Sequence, residues 1–213
     1  MSTRGIYGFR KNNTDKITYN HYDSYPSGLG NVILRFIQGT TLESLNFICD
    51  KTVLVSFTDK PTKEQFINYK RMANVFGRLY SEQYFHGFKE SPYDWGTLLA
   101  PLEGRPDVLM DIAEHCPEIY MPDSSSFIRE SLHCEYGYII NLDTNHLEYW
   151  KGFQTNPDAG NRYGTDYYTF SISGKEKQYY PCKLYLEIPL EKIIGCSSLK
   201  LKGHLFDLKC AKN

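Results

Sequence analysis

The chain has 213 residues and a formal net charge of −1 at pH 7, so it is long enough to bury a substantial core as one domain. A charge this close to zero excludes a global field that would attract nucleic acid or an anionic membrane surface, and we expect neither as a partner. No apolar stretch reaches the about 18 residues of a membrane span, and no secretory signal pattern opens the chain. The sequence therefore predicts a cytoplasmic protein.

The six cysteines are spread along the chain without a C-x-x-C pair, a distribution typical of free buried thiols in a reducing compartment. Two histidines directly precede a cysteine, in the pairs His115-Cys116 and His133-Cys134. Neighbouring residues on a strand point to opposite faces, and the ligand spacing of zinc sites is absent. The sequence therefore predicts no metal ion and no other cofactor.

The first half of the chain predicts a hairpin followed mainly by helices. Alternating residues on either side of a polar turn at 11–15 indicate the hairpin. Two capping-box patterns and a helical repeat of apolar residues that begins at Phe66 indicate helices. In chain order, the predicted elements are strands at 2–10 and 16–22, helices at 31–38 and 40–49, a strand at 52–57, and helices at 62–80, 93–102 and 106–115.

The second half predicts mostly sheet. Clean alternation around a turn at 143–145 is the strongest hairpin pattern in the chain, and a long polar loop at 154–164 follows it. The predicted elements are one helical turn within 123–131 and strands at 135–142, 146–153, 167–173, 183–188 and 199–208. This order of elements predicts a single α+β domain over residues 1–213, with a central antiparallel β-sheet packed against helices.

The segment at 19–30, with the sequence YNHYDSYPSGLG, is the densest cluster of polar, aromatic and turn-forming residues. A strand, a glycine-containing turn and a helix that follow one another can present polar groups and free helix N–H donors to a ligand. Tyr25, Gly28 and Gly30 are therefore candidate ligand-binding residues. The structural alternative is an ordinary capped turn between a strand and a helix.

His21 and Asp23 are two residues apart in the same segment. On an extended strand they would share a face, so that Asp23 could orient His21 as a general base. A surface hydrogen bond between the two side chains is the structural alternative.

The opening STRGIYGFR, taken with the segment at 19–30, resembles a family of uncharacterised bacterial, phage and fungal proteins, and the stretches 94–99, 138–143 and 147–153 fit the same resemblance. That family implies no established activity. More distantly, the N-terminus is similar to N-terminal-nucleophile hydrolases, including cholylglycine hydrolases and class II glutamine amidotransferases. Those proteins begin with Cys, Ser or Thr on a first strand, and a hairpin then returns to an acidic residue near it.

This second resemblance implies an N-terminal-nucleophile-hydrolase-like fold in which Ser2 takes the place of the nucleophile and Asp23 that of the conserved aspartate. The chain departs from those two groups because their usual nucleophile is Cys, and because Asn20 stands where they have an arginine. If the initiator Met is removed, the α-amine of Ser2 has a pKa near about 8 and can accept the proton of its own hydroxyl. Asn20 or Asn141 could then donate to the oxyanion, while Asp23 holds the ammonium group.

Two functions follow from these patterns. The first is an amide hydrolase or amidotransferase that acts on a small amide. The second is a non-catalytic binding protein, such as a phage or mobile-element factor, that engages a host protein or a small ligand. In both, the pocket is expected to form between the N-terminus, the segment at 20–30 and the loop at 154–164, with Arg4 and Arg10 binding a substrate carboxylate.

Overall fold

A five-stranded β-sheet with the strand order β2-β1-β5-β6-β9 lies at the centre of the protein, in a computed structural model that describes residues 3–77, 94–172 and 174–196. Its strands are β1 (Gly5–Lys11), β2 (Thr14–Asn20), β5 (Tyr136–Asn141), β6 (His146–Lys151) and β9 (Lys183–Pro189). Some predictions fall on residues outside the described ranges. They concern Ser2, the strand at 199–208, the last residues of the helix at 62–80 and the first residue of the helix at 93–102.

Both predicted hairpins are confirmed. β1 and β2 pair antiparallel across a turn in which Asn12 and Asn13 have φ values of 53° and 57°. Positive φ at both central residues defines the tight turn whose twist matches that of the two strands, and asparagine tolerates this conformation. β5 and β6 pair antiparallel across the second turn.

The central sheet is mixed, which corrects the prediction of a purely antiparallel one. β1 runs parallel to β5, with Gly5 opposite Tyr136, whereas β6 is antiparallel to both β5 and β9. The chain leaves β2 and passes through the helical region before it returns as β5, and a long connection of this kind permits parallel pairing. The carboxylate of Asp143 joins the two hairpin turns by accepting the backbone N–H groups of Asn12 at 2.6 Å and Asn13 at 2.9 Å.

Helices cover one face of the sheet. They are α1 (Asn31–Gln38), α2 (Leu42–Lys51), α3 (Lys63–Gly77), α4 (Trp95–Leu99) and α5 (Leu109–His115). Capping side chains begin three of them. Thr41 Oγ1 accepts from Ser44 N at the start of α2, and Thr62 exchanges a reciprocal pair of hydrogen bonds with Gln65 at the start of α3. Asp94 Oδ1 accepts from Thr97 N at 2.8 Å at the start of α4. Within the described part of the chain, none of the helices has the length and apolar character that crossing a membrane requires.

Two small sheets complete the fold. β3 (Thr52–Val55) pairs parallel with β4 (Ile119–Pro122), a strand that sequence patterns did not predict. β7 (Tyr168–Ile172) and β8 (Lys175–Tyr179) form a separate antiparallel ribbon.

Alternation along the central strands divides the core in two. Tyr7, Phe9 and Tyr138 pack against the helices, whereas Ile6 and Ile139 point to the opposite face, where loops cover them. The predicted α+β class is confirmed, and the loop-covered face is the one that carries Arg10 and its neighbours.

Candidate functional site

Asn20 is the last residue of β2, and its side chain shapes the turn that follows. The side chain is buried, and its Nδ2 donates to the carbonyl of Tyr22 and to Ser24 Oγ at 2.7 Å. Ser24 Oγ donates in turn to the carbonyl of Asn20 at 3.3 Å. Both amide hydrogens of Asn20 are therefore engaged within the turn, so this geometry leaves neither for an oxyanion.

Asp23 lies at the tip of this turn in the left-handed conformation, with φ of 52°. Its carbonyl accepts from Leu29 N at 2.8 Å, and a Cβ atom on Gly28 would lie 2.1 Å from the same carbonyl oxygen. Gly28 is thus required for the close approach of the two backbone segments. The Asp23 carboxylate is exposed and makes no hydrogen bond or ion pair with the described residues.

The predicted His21–Asp23 pair does not share a strand face, because β2 ends at Asn20. His21 Nδ1 instead lies 2.7 Å from the hydroxyl of Tyr19, and the backbone N–H of His21 donates to the Glu103 carboxylate. Burial raises the pKa of Tyr19, and the positive charge of Arg4 opposes this rise. His21 therefore belongs to a cluster beside β1 instead of forming an acid–base pair with Asp23.

Arg4 stands in the same cluster and remains open to an anion. Its guanidinium donates to His133 Nδ1 at 3.1 Å, since arginine is always protonated and can only donate. Its backbone N–H donates to the Glu135 carboxylate at 3.3 Å. Among the described residues the Arg4 guanidinium makes no ion pair, so a substrate carboxylate remains a possible partner for it.

Next to the Asp23 turn is an open groove, which we call the N-terminal groove. One lobe has a volume of about 540 Å³ and an adjoining lobe about 450 Å³, and Val32, Arg35 and Gly104 line both. The first lobe is lined by Asn20, Tyr22, Asp23, Ser27, Gly28, Leu29, Val32, Arg35, Ala100, Glu103 and Gly104. Gly104, at φ of 68°, packs so closely that a Cβ there would lie 2.5 Å from Asn20 Oδ1.

Four of the five predicted ligand-binding residues do not line this groove: Arg4, Arg10, Tyr25 and Gly30. Gly28 does, but Tyr25 packs against the helical core, and Gly30 is buried at the start of α1. The loop at 154–164 also contributes no lining residue. The groove therefore forms between the turn after β2, α1 and the residues 100–110.

Arg10 and Asn141 lie elsewhere, opposite each other near the far ends of β1 and β5. Five residues of strand separate them from Gly5 and Tyr136, which corresponds to about 16 Å. Arg10 forms an ion pair of 2.9 Å with Asp15. Asn141 Nδ2 donates to Glu148 at 2.6 Å. The predicted site residues are thus divided between two ends of the sheet.

Glu148 lies at the centre of a polar network at this end of the sheet and is only 1% exposed. Its carboxylate accepts from Asn141, from Arg162 at 2.6 Å and from Trp150 Nε1 at 2.8 Å. Burial acts to lower the pKa of Arg162, but the hydrogen bond with Glu148 and nearby negative charge raise it above the usual value. This pairing satisfies a carboxylate that burial would otherwise make very costly.

Tyr163 extends the network to β2 by donating its hydroxyl to Asp15 at 2.9 Å, and it accepts from Arg162 at 3.0 Å. Burial raises the pKa of Tyr163 above its usual value, with Arg162 opposing the effect. We call Arg10, Asp15, Asn141, Glu148, Trp150, Arg162 and Tyr163 the far network. The loop at 154–164 supplies two of these residues, so it fastens to the sheet here and not at the groove.

Sequence patterns did not identify Glu148, Arg162 or Tyr163 as a connected set. The available signal was a glutamate inside the otherwise apolar strand LEYW, which indicates a buried carboxylate in need of a cation.

The described residues contain no group of three or more His, Cys, Asp or Glu side chains that could hold a metal ion. No protein-family model, curated protein or solved structure matches this chain. The geometry at the two ends of the sheet is therefore the basis for inferring a function.

Proposed function

We propose that this protein binds a small ligand in the N-terminal groove. The observation that supports the proposal is that the groove is open while its walls are held in place. The Asn20 side chain closes the turn, and both Gly28 and Gly104 pack too closely for any side chain. Binding to a preformed surface costs less ordering of the protein, which favours affinity.

The dimensions and composition of the groove also fit a small ligand. Its lobes of about 540 and 450 Å³ lie within the range of roughly 300 to 1,000 Å³ that is usual for small-molecule sites. Apolar side chains such as Val32 and Leu29 line it together with a few polar groups. Apolar contact would supply affinity, and the polar groups would orient the ligand.

The test is a screen of small amides, amines and carboxylic acids by ligand-observed NMR, followed by a blocked variant. Val32→Trp places an indole in the wall that both lobes share, and we expect it to abolish binding. Ile67→Trp is the matched control, because Ile67 is 49% exposed on α3 and does not line the groove. Absence of any hit for the wild-type protein, or equal binding by both variants, would contradict the proposal.

Amide hydrolysis with Ser2 as an N-terminal nucleophile is the second candidate function. It is favoured by the hydrogen bond of 3.1 Å from Ser24 N to the carbonyl of Thr3, which holds the start of the described chain beside the Asp23 turn. Because Asn20 donates within its own turn and Asn141 lies at the far end of the sheet, the oxyanion donor would have to be another group. The Asp23 carboxylate remains available to an ammonium group.

Intact-protein mass spectrometry tests this second function. Untagged protein is measured before and after treatment with a serine-reactive electrophile, in parallel with Ser2→Ala. Complete loss of Met1 with a single adduct on Ser2 would support the hydrolase. Retention of Met1, or an adduct that persists in Ser2→Ala, would contradict it and leave the binding function unaffected.

A further inference from the structure

On the assumption that the N-terminal groove binds a ligand as proposed above, we infer that the ligand is a short free peptide of about three residues. Its amino terminus would pair with Asp23 and its carboxylate with Arg35. The inference depends on which charges in the groove are already paired, and on how far apart the unpaired ones lie.

Five charged side chains line the two lobes: Asp23, Arg35, Glu103, Arg105 and Asp107. Three of them have partners inside the protein. Glu103 accepts the backbone N–H of His21, while Arg105 and Asp107 form a two-point ion pair with contacts of 2.8 and 2.9 Å.

Asp23 and Arg35 differ from these three. Both are exposed, and neither has an ion-pair or hydrogen-bond partner for its charged group within residues 3–77, 94–172 and 174–196. One is an anion and the other a cation, so the groove presents two charged groups of opposite sign that lack a partner among the described residues. A ligand that satisfies both must itself carry a cation and an anion.

The backbone separation of the two residues indicates the length of this ligand. The Asp23 carbonyl is fixed to Leu29 N, and Arg35 follows six residues later along the turn and α1. At a helical rise of 1.5 Å per residue, the backbone positions of Leu29 and Arg35 lie about 9 Å apart along the turn and α1. An extended peptide spans about 3.3 to 3.6 Å per residue, so about three residues separate an amine and a carboxylate by this distance.

The lobe that Asp23 and Arg35 both line suits small apolar side chains. Val32, Ala100 and Leu29 line the same lobe, and none of their side chains carries a polar group. Peptides with short aliphatic side chains can therefore lie against this wall without leaving a buried polar atom unpaired.

The experiment uses trialanine, N-acetyl-trialanine and trialanine amide, with affinities measured by NMR titration. We expect trialanine to bind most tightly, and blocking either end to weaken binding about tenfold, as for loss of one charge-assisted contact. Asp23→Asn should weaken trialanine and its amide but leave N-acetyl-trialanine unchanged. Arg35→Gln should weaken trialanine and N-acetyl-trialanine but leave the amide unchanged.

Matched controls are Asp166→Asn and Arg71→Gln, which neutralise exposed charges outside the groove and should change none of the three affinities. Affinities that do not depend on blocked ends, or on Asp23 and Arg35, would overturn the inference. Tighter binding of N-acetyl-Lys-Ala-Glu-amide than of trialanine would also overturn it and would indicate a segment of a partner protein. If hits from the small-molecule screen bind but trialanine does not displace them, only the inference fails; if nothing binds, the proposed function fails as well.

Discussion

The two ends of the central sheet differ in whether their charged side chains are paired within the protein. In the far network, the buried Glu148 carboxylate meets three donors, and Asp15 is shared between Arg10 and Tyr163. In the N-terminal groove, Asp23 and Arg35 remain exposed and unpaired within the described structure. Burial makes pairing necessary at one end, whereas exposure permits free charges at the other. The comparison favours a stabilising role for the far network and is consistent with the ligand binding that we propose for the groove.

The largest expected effect comes from removing the cation of the far network. Arg162→Leu leaves the buried Glu148 carboxylate without its ion-pair partner, and we expect the free energy of unfolding to fall by about 3 kcal/mol. Urea denaturation at pH 7 measures this change. Lys183→Leu is the control, because it breaks an exposed ion pair of 3.6 Å with Asp158 and should cost less than about 1 kcal/mol. Equal effects of the two variants would show that the far network adds no particular stability.

The next effect tests whether the turn beside the groove is as rigid as its contacts indicate. Gly28→Ala puts a methyl group 2.1 Å from the Asp23 carbonyl oxygen, so the turn must open. We expect a loss of about 2 kcal/mol in thermal or urea denaturation. Gly160→Ala is the control, since its nearest atom would be 3.7 Å away. A harmless Gly28→Ala would contradict a preformed groove wall.

A smaller effect concerns the pH dependence of the far network. Because the pKa of Tyr163 is raised in the folded protein, the unfolded chain loses this proton first, above about pH 10. The contribution of Tyr163 to stability is therefore fully present below about pH 10 and declines as the pH rises above this value.

Tyr163→Phe should accordingly reduce the alkaline decline in the free energy of unfolding by about 1 kcal/mol per pH unit. Urea denaturation from neutral to alkaline pH gives this slope. Tyr167→Phe, at a tyrosine that is 54% exposed, should leave the slope unchanged. An unchanged slope in Tyr163→Phe would mean that this hydroxyl ionises as readily in the folded state as in the unfolded chain.

The smallest effect is expected for the groove charges. Arg35→Gln removes no partner from any described residue, so the free energy of unfolding should change by less than about 0.5 kcal/mol. Urea denaturation is again the measurement, with Arg162→Leu as the contrasting variant. A loss of about 2 kcal/mol, as large as the loss expected for Gly28→Ala, would show that Arg35 supports the fold. It would also remove the contrast between the two ends of the sheet.

Local sequence patterns were sufficient for most of the secondary structure. The two hairpins, α1 at Asn31–Gln38 and the cap at Thr62 follow from alternation, apolar runs and capping residues. The capping box predicted at 40–43 lies one residue too early, because Thr41 is the observed cap and its partner is Ser44. β4 was missed because four residues between a Cys-Pro pair and a proline are too few to show a period. β8 was not predicted because its exposed sequence KEKQY lacks apolar alternation.

Contacts distant in sequence could not be predicted in the same way. The parallel pairing of β1 with β5 joins residues more than a hundred positions apart, and neither strand pattern encodes its partner. For the same reason Asn141 was grouped with Asn20, although the register places it at the other end of the sheet. The Asp23 turn was identified as a candidate site, but the closing contribution of residues 100–110 to its groove depends on tertiary packing.

The parallel pairing of β1 with β5 has a consequence for the newly made protein. β1 is an interior strand of the sheet, yet its partner β5 begins only at Tyr136. At about 5 to 20 residues per second, roughly 7 to 26 seconds pass between synthesis of Gly5 and of Tyr136. During that interval one edge of the first hairpin lacks its neighbour and is open to pairing with other chains. The ribosome-bound chain is therefore the stage at which we expect this protein to depend most on chaperones.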